Sequence, residues 1–200
     1  MILYLHGFRS SPQSFKATLM ARAMAERGLA RLWRCPQLPA SPREAARLAG
    51  DEAGRLLAAS PGGDPARLTV VGSSLGGYYA TWLAERLGCR AALLNPAVHP
   101  ARDLAAHVGA QRSYHGDEPF LFRPEYLDEL LALQAGPLAD PGRYFLLACT
   151  GDEVLDWREM AARYAGCRQR IVEGGDHGIS DFARWLPEVL AFALEPAERP

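Results

Sequence analysis

Short, continuous apolar runs alternate along this chain with longer segments that mix apolar and polar residues at helical spacing. The runs lie near residues 2–5, 31–35, 68–72, 91–95, 144–149 and 169–173. A run such as Ala91-Ala92-Leu93-Leu94 has no polar face, which predicts a strand covered on both sides. The amphipathic segments near 13–28, 42–59, 76–87, 156–165 and 180–194 predict helices. Strands alternating with helices are the mark of a parallel sheet with helical crossovers, so the fold class is α/β. No internal repeat, low-complexity tract or interdomain linker interrupts the pattern, and residues 1–200 read as one domain.

One stretch breaks the alternation. Residues 97–142, from Ala97-Val98-His99-Pro100 to Asp140-Pro141-Gly142, mix polar, aromatic and helical pieces. A long insertion in a compact chain is more often functional than idle. It reads as a lid or pocket wall, and the competing reading is a surface excursion with one helix near 124–134.

Composition changes the picture mainly by exclusion. Hydrophobic residues make up 48% and charged residues 22%, as in an ordinary globular protein. The formal net charge of −1 offers nothing to attract nucleic acid or an anionic membrane. Lys16 is the only lysine, and the arginine excess reads as coding bias in a GC-rich genome. Met1-Ile2-Leu3-Tyr4-Leu5-His6-Gly7 lacks a basic segment and a long apolar core, so it reads as a strand rather than a signal peptide. No apolar run has transmembrane length. Cys35, Cys89, Cys149 and Cys167 form no CxxC pair, which predicts reduced thiols and a cytoplasmic protein.

The candidate chemistry centres on Gly72-Ser73-Ser74-Leu75-Gly76. It follows the apolar run Leu68-Thr69-Val70-Val71 and precedes a helical segment, the strand-turn-helix context that a G-x-S-x-G nucleophile elbow needs. Ser74 is the candidate nucleophile and Ser73 the weaker one; a plain glycine-rich turn with a capping serine is the alternative. His177 follows the last strand within Gly174-Gly175-Asp176-His177-Gly178 and is the candidate base. Asp152 follows the fifth strand within Thr150-Gly151-Asp152-Glu153 and is the candidate orienting acid. Asp156 competes, but with Glu159 it resembles a capping box. Asp176 adjoins His177 and is poorly placed to reach its ring. The order Ser, Asp, His is that of the α/β-hydrolases, and each residue lies past the C-terminal end of a strand. Backbone N–H groups of Leu75 and Phe8 are the candidate oxyanion donors. His99, His107 and His115 lie in the insertion without a motif, and His6 is expected to shape the loop after the first strand. No His, Cys, Asp and Glu cluster has metal-ligand spacing, and no metal or organic cofactor is expected.

The blocks Leu3-Tyr4-Leu5-His6-Gly7-Phe8, Gly72–Thr81, Asn95-Pro96-Ala97, Thr150–Asp156 and Glu173–His177 resemble the YqiA-like bacterial esterases, small α/β-hydrolases. The resemblance implies an esterase with Ser74, Asp152 and His177 as its triad, acting on ester or thioester substrates. Aspartate at 176 departs from an asparagine in that pattern, and its negative charge is expected to raise the pKa of His177.

These readings together predict an α/β-hydrolase fold with six parallel strands in the order 2-1-3-4-5-6, helices on both faces, and the insertion over the active site. The leading hairpin of larger relatives is expected to be missing. The expected reaction is ester or thioester hydrolysis through an acyl-enzyme. Acyl transfer by the same triad and a non-catalytic binding role are the rivals. Phe120, Leu121, Phe122 and Tyr126 either line an apolar acyl pocket or pack the insertion on the body. The expected partner is a small-molecule ester or thioester, not nucleic acid or a membrane span, and the oligomeric state is left open.

Overall fold

The computed structural model describes residues 1–113 and 119–195. Six strands form one parallel sheet: β1 (Ile2–Leu5), β2 (Trp33–Arg34), β3 (Thr69–Ser73), β4 (Arg90–Leu94), β7 (Tyr144–Cys149) and β8 (Arg168–Val172). Their order is β2-β1-β3-β4-β7-β8. With only the sheet strands numbered, that is the predicted 2-1-3-4-5-6. Of these six, β1, β3, β4 and β7 are buried along their whole length, as their apolar runs require.

Alternate residues of the strands feed two cores because strand side chains alternate in direction. Leu3, Leu5, Val70, Leu93, Leu146 and Ala148 face α2 (Pro42–Ala58), α3 (Leu75–Leu87) and α6 (Trp157–Arg163). Ile2, Tyr4, Val71, Leu94, Phe145 and Leu147 face α1 (Phe15–Glu26) and α7 (Phe182–Leu194). In α1, Ala17, Met20, Ala23 and Met24 make one buried stripe at helical spacing. Met20 and Met24 are fully enclosed, which is worth about 1.5–3 kcal/mol each. The Ser41 side chain caps α2 by accepting from Glu44 N–H, and Pro42 opens the helix where no amide is needed.

The insertion contains more regular structure than the sequence suggests. It starts with the short α4 (Pro100–Asp103), continues into an antiparallel pair, β5 (Gly109–Arg112) and β6 (Pro119–Phe122), and ends in α5 (Glu125–Ala132). The strand pair was not expected. Gly109-Ala110-Gln111-Arg112 has no apolar face, since one side of this ribbon is open to solvent. The expected helix near 124–134 is α5. It is tied to α2 through Glu129, whose carboxylate accepts from Ser41 Oγ (2.7 Å) and Arg43 N–H (3.0 Å). It is tied to α3 by Tyr78 O–H donating to the Leu130 carbonyl (2.6 Å). His115 lies outside the described residues, as does part of the 97–142 insertion.

Candidate active site

The elbow between β3 and α3 is built by close approach of backbones. A Cβ on Gly72 would sit 2.2 Å from the Gly76 carbonyl oxygen, and one on Gly76 only 1.9 Å from that of Leu5. Ser74 adopts φ 55° and ψ −123°, a conformation a non-glycine residue holds only when its surroundings impose it. They do so with three backbone bonds: Ser74 N–H donates to Leu94 (3.0 Å), while its carbonyl accepts from Gly77 (2.9 Å) and Ala97 (3.0 Å). Ser73 is enclosed within β3.

The structure brings Ser74, His177 and Asp152 together across 103 and 25 residues of chain. Ser74 Oγ lies 3.0 Å from His177 Nε2, and His177 Nδ1 lies 2.8 Å from Asp152 Oδ2. The Asp152 side chain is fully buried. Its other oxygen, Oδ1, accepts from the N–H groups of Val154 (2.9 Å) and Leu155 (2.8 Å). One carboxylate oxygen is thus occupied by its own loop and the other is left for the imidazole. The two competing acids are employed elsewhere. Asp156 caps α6 by accepting from Arg158 N–H (2.9 Å). Asp176 accepts from Ser180 Oγ and N–H, and these bonds hold its carboxyl below the usual range.

The loop after β1 lies against the serine: a Cβ on Gly7 would be 3.0 Å from that of Ser74. Leu75 and Phe8 line the same cavity as Ser74 and His177, and among the described residues neither backbone N–H meets an acceptor. His6 braces this loop. Its Nδ1 is 3.0 Å from the Gly7 carbonyl, and its Nε2 accepts from Leu38 N–H at 3.0 Å. Nδ1 therefore carries the proton, and the ring is neutral in this arrangement.

The cavity holds about 740 Å³. Its apolar wall comes from Phe8, Phe15, Pro100, Leu104, Val154 and Leu155, and the start of the insertion contributes directly to it. Of the residues expected to form an acyl pocket, Phe120 lines a smaller hollow with Phe8, Leu75 and Tyr79, whereas Phe122 and Tyr126 do not line the cavity beside Ser74. Phe122 is buried between Phe8 and Tyr126, with ring centroids 5.1 and 5.5 Å away, and Phe120 packs edge-on to Phe8 at 5.8 Å. Leu121 points to solvent. The period-2 pleat of β6 turns Phe120 and Phe122 to the same side, against Phe8. Of the insertion histidines, His107 reaches the cavity, while His99 lines a separate hollow beside Tyr78 and Tyr164.

The model of the uncharacterised protein family UPF0227 matches residues 1–194. The chain belongs to that family. It is the YqiA-like family that the sequence blocks resemble. Among solved structures, a protein from Agrobacterium vitis S4 assigned as a hydrolase is 20% identical at a TM-score of 0.71, with 97% of this chain and 87% of that one covered. The esterase domain of a Rhodothermus marinus protein is 23% identical at 0.64, covering 96% and 85%. Est1E from Butyrivibrio proteoclasticus, with ferulic acid bound, is 15% identical at 0.67, covering 99% and 89%. The fold they share with this UPF0227 chain is that of the α/β-hydrolases.

Four residues that hold the histidine loop carry no catalytic signature in the sequence. Asn95 is fully buried at φ 43°. Its Nδ2 donates to the carbonyls of Asp176 (3.0 Å) and His177 (3.1 Å), and its Oδ1 accepts from Cys149 N–H (2.8 Å). One side chain thereby spaces the ends of β4 and β7 and the loop that carries His177. Glu153 accepts from His177 N–H at 2.9 Å, and Lys16 donates to the Gly178 carbonyl. Ile179, fully buried at φ 52°, anchors the far side of the loop in the core; burial offsets a backbone conformation that a β-branched residue avoids. Asn-Pro-Ala after a buried strand was the available signal for Asn95. No helix among the described residues is long and apolar enough to cross a membrane, and they contain no group of three or more His, Cys, Asp and Glu arranged to hold a metal.

Proposed function

We propose that this protein is a serine hydrolase that cleaves small carboxylic esters or thioesters through an acyl-enzyme. The observation that carries this reading is the continuous hydrogen-bonded path from Ser74 Oγ through both ring nitrogens of His177 to the buried Asp152. A serine hydroxyl is a weak nucleophile until a base takes its proton. With Nδ1–H directed to Asp152, Nε2 is left free to accept that proton, and the carboxylate stabilises the resulting imidazolium. The N–H groups of Leu75 and Phe8 receive the charge that develops on the carbonyl oxygen, and the N-terminus of α3 adds partial positive charge there. His177 then protonates the leaving alcohol or thiol and activates water to release the acyl group. The cavity, mostly apolar and within the usual range for small-molecule sites, suits an ester of modest size. Pro100 and Leu104, at the start of the insertion, supply part of its wall.

Hydrolysis of a series of p-nitrophenyl esters of increasing acyl length tests this. Ser74→Ala is expected to lose activity by about a thousandfold or more. Ser73→Ala should keep most of it. Full activity in Ser74→Ala, or none in folded wild type across the series, sinks the proposal.

A further inference from the structure

The catalytic cavity has one wall that the hydrolytic machinery leaves unused. Lys16, the only lysine among 200 residues, lines it together with Ser14 and Phe15 at the start of α1. Its ammonium donates to the carbonyl of Gly178 at 2.5 Å, immediately after His177. An ammonium has three N–H donors, so this bond leaves two. No carboxylate among the described residues pairs with it within 4.0 Å. The acids nearby have other partners: Asp103 takes Arg102 (2.8 Å), Glu153 takes His177 N–H, and Asp176 takes Ser180. Arg9, also on the cavity, donates to the Arg112 carbonyl and pins β5 to the Phe8 loop.

One further feature of the same wall favours negative charge. The N-terminus of α1 has no side-chain cap and no acid in its first turn, so its partial positive charge is uncompensated. A cation with no carboxylate partner and an uncapped helix end both favour a negatively charged ligand. The apolar residues lining the rest of the cavity would suit the body of the same ligand.

We propose that the substrate is an ester carrying an anionic group, a carboxylate or a phosphate, that docks on Lys16 while its ester carbonyl sits at Ser74. This rests on the ester-hydrolase reading above. Burial pushes the Lys16 ammonium down to about 8, against the opposing pull of Asp176, Cys149 and Asp152. The preference for an anionic substrate is therefore present below that pH and fades as pH rises through it.

The test compares p-nitrophenyl hexanoate with the p-nitrophenyl monoester of adipic acid, which places a carboxylate at the chain end. Wild type, Lys16→Met and Lys16→Arg are measured between pH 6.5 and 9. The readout is the ratio of kcat/KM for the two esters. Loss of the Gly178 bond and the influence of His177 and Glu153 act on both esters and largely cancel in that ratio. The wild-type ratio should favour the adipate ester, fall by about tenfold in Lys16→Met, and be partly restored in Lys16→Arg. Inhibition of hexanoate hydrolysis by glutarate or by glycerol phosphate tells which anion fits. If wild type hydrolyses the hexanoate but the ratio is no greater than one, or is unmoved by Lys16→Met, this proposal falls while the esterase reading stands. If neither ester turns over, both fall.

Discussion

His177 has two ring nitrogens, and its surroundings give each a separate partner. That arrangement makes the acid testable by itself. Asp152→Asn keeps the shape but offers N–H where a proton acceptor is needed, so the imidazole is held in the wrong tautomer. A loss of about 10³- to 10⁴-fold in kcat with KM near wild type is expected from steady-state kinetics. Asn95 acts one step further out, as a positioning residue. Asn95→Asp removes the donor to the Asp176 and His177 carbonyls and sets negative charge against both. Displacing the imidazole by a fraction of an ångström should lower kcat by about 10- to 100-fold in folded protein, with KM little changed; an equal rise in KM would argue against that role. Lys16 should show the opposite sign in stability. Its folded pKa, about 8, lies below the ordinary value of 10.5, so the charged amine opposes folding below pH 8, and the penalty fades between those two values. Thermal melts of Lys16→Met should show a higher Tm than wild type at pH 7 and a smaller gain at pH 10. A lower Tm at pH 7 would mean that the bond to Gly178 outweighs desolvation.

At the scale of elements, backbone contacts decide what each glycine tolerates. Gly76 and Gly50 both lie on helices that pack on the sheet, yet they should respond oppositely to alanine. A methyl at Gly76 meets the Leu5 carbonyl and would lever α3 away from β1; a loss above about 3 kcal/mol in a urea titration is expected. A methyl at Gly50 meets nothing within 4 Å inside α2, and Gly50→Ala should gain about 0.4–1 kcal/mol. The strand-helix alternation was legible because buried parallel strands must be apolar on both faces. The β5–β6 pair was not, since a ribbon open to solvent needs no such run. The same ribbon explains why Phe120 and Phe122 were assignable from sequence either to a pocket or to packing. The pleat turns both toward Phe8, where Phe122 is buried and Phe120 also lines a hollow beside Leu75.

Across the whole molecule the two ends of the sheet divide the work. Ser74, Asp152, His177 and Asn95 all follow the C-terminal ends of strands. At the opposite end Arg90 opens β4, stacks on Phe192 at 4.1 Å, and binds the carbonyl (2.7 Å) and carboxylate (3.4 Å) of Glu195 after α7. Burial lowers its pKa, which marks a desolvated guanidinium. Arg90→Ala should lower Tm by several degrees through lost packing and an orphaned helix end, while kcat of the folded protein stays near wild type. A large fall in kcat at constant fold would show that the two ends communicate.

Periodicity alone determined the fold class, and the spacing of turn residues after strands picked out Ser74, Asp152 and His177. Both are local signals: a parallel strand must be apolar, and a sharp strand-to-helix turn needs glycine beside its serine. Which acid reaches the imidazole, what holds the histidine loop, and what lines the cavity depend on residues far apart in the chain. Lys16 has no local pattern, and Asn95 has only the Asn-Pro-Ala that follows its strand, because what they do exists only where the strand ends, the histidine loop and the start of α1 converge. Packing created those neighbours, and with them the desolvation and hydrogen bonds that distinguish Asn95 and Lys16 from any other asparagine or lysine.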